Sequence, residues 1–99
     1  MNKSKRYKTK EEIEQAIDRL RDRARLYFKQ AEQNDHDAIN LFRNGSVSLG
    51  NDLLDLAHHR RRRAMNILEK KLPLLGQKMA EFLTNQLPAI DNGDTSIAA

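Results

Sequence analysis

The chain has no cysteine. This excludes a disulfide framework, a zinc site built on thiolates and a cysteine nucleophile, and it leaves a reducing compartment open. Aromatic residues are scarce at 5%, and apolar residues reach only 38% against 32% charged, which is the profile of long helices with much surface rather than a thick core. No apolar run is long enough to span a bilayer. The basic N-terminal stretch has no apolar segment behind it and does not read as a secretory signal, so a cytoplasmic protein that avoids membranes is the expectation. Glycine occurs four times, never as a phosphate-cradling loop, and serine and histidine fall in no catalytic arrangement. Paired helices offer few concave pockets. No catalytic residue and no cofactor is therefore assigned, and the chain reads as non-enzymatic.

A chain of 99 residues is one domain with a marginal core, for which oligomerisation is a natural remedy. Its net charge of +4 is unevenly spread: Lys3, Lys5, Arg6, Lys8 and Lys10 crowd the start, and Arg60, Arg61, Arg62 and Arg63 follow one another in the second half. Residues 1–8 carry charge without a core pattern and are expected to be a disordered leader. Residues 88–99, after Pro88, are expected to be a flexible tail. The folded domain is placed at 9–87.

Within that domain Thr9, with Glu12 three residues on, fits a capping box, and Glu11, Glu12 and Glu14 sit where a helix dipole favours anions. From Ile13 the seam runs Ile17, Leu20, Ala24, Tyr27, Ala31, Asn34, Ala38, Leu41, alternating steps of four and three. Such spacing predicts one long helix in a coiled-coil-like pairing, stopped near Arg43 by Asn44 and Gly45. The loop 45–50 has glycine at each end and favours an antiparallel return, with Ser48 or Asn51 as the next cap. The second helix carries Leu54, Ala57, Arg61, Ala64 and Leu68 at the same alternation, and Pro73 is expected to kink it or break it. The fold class is all-α: an antiparallel two-helix hairpin that assembles into a helical bundle.

Folding the two patterns together sets Ala38 against Ala57, Asn34 against Arg61 and Ala31 against Ala64. The result is a polar waist, Asn34 with Arg61, between two alanine layers, where Asn34 and Arg61 are expected to fix register while the Arg61 head reaches water or Asp35. Phe28, Ile39, Phe42 and Leu53 widen the apolar stripe beyond what one partner helix covers and are the expected assembly interface of a homo-oligomer or a site for another protein. Arg60, Arg61, Arg62 and Arg63, with Lys5 and Arg6 of the leader and with Lys70, Lys71 and Lys78 further on, are the expected contacts to an anionic partner, nucleic acid being one candidate. No helix-turn-helix, zinc finger or basic zipper accompanies them. Asp55 and His58 have a carboxylate–histidine spacing used in bundle metal sites, and His59 and His36 lie within a few turns. The four arginines would repel a divalent cation, so metal at a subunit interface is the minor reading.

Overall fold

Thr9 starts the first helix, α1 (Lys10–Arg43), by accepting a hydrogen bond from the Glu12 amide at 3.1 Å. The Glu12 carboxylate reaches back, but to the amide of Lys8, at 2.6 Å, one residue before the cap. Both bonds satisfy donors that no turn of helix can reach. The computed structural model describes residues 7–86, so the expected tail and most of the leader, including Lys5 and Arg6, lie outside the described residues.

At the far end, Gly45 adopts φ +83°, a conformation that costs other residues roughly 1 kcal/mol or more. This lets the Ser46 amide donate to Leu41 O at 2.8 Å and the Gly45 amide to Phe42 O at 3.0 Å, a Schellman closure of α1. The chain turns back at once: helix α2 (Val47–Asn66) starts with Ser46 as its cap, not Ser48 or Asn51. Gly50 therefore belongs to the first turn of α2 and is buried against the Phe42 ring. A Cβ there would lie 2.5 Å from Phe42 Cε1, so a side chain at this position would push the two helices apart.

The hairpin is antiparallel and all-helical, as its two hydrophobic patterns imply, and no strand occurs among the described residues. Its seam on α1 follows the expected residues: Ile13, Ala24, Ala31, Asn34 and Ala38 are buried, and Ala16 joins them. On α2 the seam differs from the expected one by a single residue at every other step. Ala57 and Ala64 are buried as foreseen, but Ile67 rather than Leu68 is buried, Leu53 rather than Leu54 is the more covered, and Leu54 and Leu68 are about 40% exposed. The inward line is Leu53, Ala57, Arg60, Ala64, Ile67.

Pro73 neither breaks the helix nor sits in a regular one. Ile67–Lys71 forms a π-helical turn in which the Leu72 amide donates to Ile67 O, five residues back, and helix α3 (Leu72–Gln86) follows after a kink. The wider turn accommodates the proline ring and its missing amide, which an α-helical interior would not. It also resets the seam. In an unbroken α-helix the residue four past Ile67, Lys71, would turn inward; the extra residue rotates Lys71 out and brings Leu72, then Leu75, against α1.

The core is consequently thin. Six of its nine buried apolar residues among those described are alanines, and Ile13 is the largest side chain fully enclosed. Each alanine in place of a leucine forgoes about 2 kcal/mol of burial. Ala24, Ala64 and Ile67, covered by Leu20, Tyr27, Phe28 and Leu72, form the best-packed stretch.

Candidate functional site

The four consecutive arginines part company because each step on a helix turns about 100°. Arg60 points into the seam, where its Nη1 donates to Asn34 Oδ1 at 2.9 Å; Asn34 is 9% exposed. The polar waist thus exists, but its arginine is Arg60, not Arg61. Arg61 stands on the flank and forms a hydrogen-bonded salt bridge with Asp35. That hydrogen bond, opposed by desolvation and aided by the charges of Asp35 and Glu32, holds the guanidinium pKa above its ordinary value. A raised cation pKa contributes stability at every pH below the ordinary guanidinium range, lost only in strong alkali, so Arg61 cannot act as a pH switch near neutrality.

Arg62 and Arg63 are exposed and take part in no salt bridge among the described residues. They line a groove of about 510 Å³ together with Arg23 and Tyr27 of α1, His59 and Asn66 of α2, and Ile67 and Lys71 of the π turn. Buried Ile67 and half-buried Tyr27 make the floor; the cations stand at the exposed rim. Among the described residues no acidic side chain lines it. Arg23 and Lys71 also border an adjoining hollow of about 350 Å³ that adds Arg19, so the basic strip continues along the same side of the hairpin.

Two local features build this groove. Arg23 lies one turn before Tyr27, beside the α1 seam, and leans over its edge. Lys71 is present only because the π turn rotates it out of the core position that a regular helix would assign to it. Lys71, next to Lys70, is among the basic residues that the sequence offers to an anion, whereas Arg23 is not singled out by composition or spacing; the signal for where Lys71 faces is the five-residue step from Ile67 to Leu72 in an otherwise four-and-three pattern.

Such an arrangement can hold an anion. Guanidinium groups offer forked donors that match phosphate or carboxylate oxygens, and cations with no intramolecular partner need not break one to bind. Arg60 and Arg61, by contrast, each already donate to a partner on α1, Asn34 and Asp35.

The metal candidates are not gathered. His58 and His59 have ring centroids 6.1 Å apart but open to different hollows: His59 to the basic groove, His58 to one that also holds Arg61, Arg62 and Glu69. Among the described residues, which include Asp55 and His36, no group of three or more histidine, aspartate or glutamate side chains is placed to hold an ion. Nor is any described helix long and apolar enough to cross a membrane.

Of the expected assembly residues, Leu53 lies half-buried in the hairpin seam and Phe42 half-buried on Gly50, while Phe28 is half-buried and Ile39 46% exposed. Comparison with protein-family models, curated proteins and solved structures finds no match to this chain.

Proposed function

We propose that the chain is a non-enzymatic interaction module that holds an anionic partner in the basic groove between its helices. The observation that carries this reading is the groove itself: Arg23, Arg62, Arg63 and Lys71 converge with no acid among them, whereas Arg61 and Arg25 on the other surfaces have carboxylate partners. Like charges gathered without compensation destabilise a fold slightly, and the gathering is explained if a ligand supplies the missing anions.

A second reading makes the partner a nucleic acid. The continuation of the strip past Arg23 and Lys71 to Arg19, with Tyr27 on the floor, suits a phosphate backbone that runs along the hairpin. Binding of the full chain to labelled duplex DNA, single-stranded DNA, RNA and polyglutamate over a salt series tests both. With about four phosphates neutralised, affinity for nucleic acid falls roughly 100-fold between 50 and 200 mM salt. Joint replacement of Arg62 and Arg63 by alanine abolishes most binding. Equal affinity for polyglutamate assigns the groove to acidic protein segments; absence of binding to any polyanion at low salt overturns the proposal.

A further inference from the structure

The side of the hairpin opposite the basic groove is organised around the Asp35–Arg61 salt bridge. Residues seven positions away share a flank in paired helices, so Phe28 and Phe42 lie on either side of Asp35, and Leu54 and Leu68 on either side of Arg61. Ile39 and Met65 extend the same face outward, 46% and 40% exposed. The face is thus apolar at both ends, with Asp35 and Arg61 side by side at its middle on different helices and Glu32, whose charge also acts on Arg61, one turn before Asp35.

We propose that this face is covered by a second copy of the chain, related by a two-fold axis parallel to the helices. Two symmetric ways of stacking the face on itself exist. An axis across the helices sets Asp35 on the partner's Asp35, like charge on like. An axis along the helices sets Asp35 on the partner's Arg61 and Phe28 on the partner's Leu68, so that the two salt bridges close into a ring of alternating charge. The groups needed are free for it: Asp35 and Arg61 keep 34% and 40% of their side chains exposed, and Arg61 has five N–H donors of which one is used. The apolar patch from Phe28 to Phe42 is about 21 Å long and about 20 Å wide, about 400 Å² per copy, and the neighbouring turns of both helices extend the contact toward the roughly 800 Å² of a standard interface. The product is a four-helix bundle with antiparallel neighbours, its alanine-poor outer flanks meeting over the thin core, and with one basic groove on each outer side.

The absence of cysteine makes the test direct. The full chain is expected to sediment at twice the 11.5 kDa of one copy. Leu68→Asp is expected to weaken the dimer about 30-fold or more, and Leu26→Asp, on the outer surface, to leave it intact. Under mild oxidation, a chain carrying Phe28→Cys mixed with a chain carrying Leu68→Cys cross-links, while neither does so alone. Cross-linking of Phe28→Cys to Phe42→Cys instead, or a monomeric mass for the unmodified chain with or without lipid vesicles, overturns the proposal. The cysteine pairs are read on chains that retain helicity, so a variant that misfolds does not stand in for a negative result; Ile39→Cys with His58→Cys probes the same register on exposed positions.

Discussion

At the scale of single residues, Gly50 and Phe42 hold the tip of the hairpin. A methyl group at Gly50 meets the ring at 2.5 Å, closer than carbon atoms approach, so Gly50→Ala is expected to destabilise by about 1–3 kcal/mol in urea unfolding. The penalty should largely vanish in a Phe42→Leu background, because the two positions are in contact and their effects do not add. Unchanged stability of the single variant would mean that the tip has room to spare. In the waist, Asn34→Ala removes the acceptor of Arg60 and is expected to cost about 1 kcal/mol, since the half-buried guanidinium can still turn to water. Arg61→Ala acts on a different partner, Asp35, and the two substitutions should be separable by a double-mutant cycle.

The element scale explains both what the sequence revealed and what it hid. Helix α1 was legible from Thr9 to Gly45, because cap, dipole charges, seam and a glycine with positive φ all agree. The second helix of the hairpin was legible only up to a choice. Ala57 and Ala64 lie seven apart, and the position between them can be Arg60 or Arg61 with equal regularity. The neighbours do not decide, since Leu53 and Leu54, and Ile67 and Leu68, are apolar pairs. Choosing Leu54, Arg61 and Leu68, with Ala57 and Ala64 common to both lines, turned the inward direction of the helix by about 50° and put the wrong arginine in the waist. The step that resolves it comes later in the chain: only the line through Ile67 needs a five-residue step to reach Leu72 and Leu75, and Pro73 marks where that step is taken. Lys71 was already a candidate contact to an anion, but its grouping with Arg23 was hidden for the same reason, because the π turn sets the side on which Lys71 faces.

That account of the π turn is testable. Pro73→Ala alone should leave the fold in place, because the spacing of Leu72, Leu75, Met79 and Phe82 still demands the extra residue. Deleting Lys70 in the Pro73→Ala background restores an unbroken four-and-three pattern and should give a cooperative hairpin of at least equal thermal stability. The same deletion with Pro73 retained places proline in a regular helix interior and should cost about 3 kcal/mol. If the deletion is equally harmful with and without Pro73, the turn has another cause.

For the whole molecule, the essential feature is that its two broad sides differ. One is apolar around a salt bridge, and the other carries a basic groove with no acidic side chain among its described lining residues. A thin, alanine-rich core leaves little stability to a lone hairpin, so the apolar side is expected to contribute through association and the basic side through binding. Substitutions on one side should therefore spare the function of the other. Replacing Arg62 and Arg63 should remove polyanion binding without changing the sedimentation mass, and Leu68→Asp should lower the mass while each chain keeps its groove.

The most direct test of this division is an NMR titration of the isotopically labelled full chain with a short DNA duplex at low salt. The two-sided account predicts shifts at Arg23, Tyr27, Arg62, Arg63 and Lys71, with Phe28, Ile39, Leu54 and Leu68 unmoved. Shifts centred on those apolar positions, or no shifts with any polyanion, would contradict it.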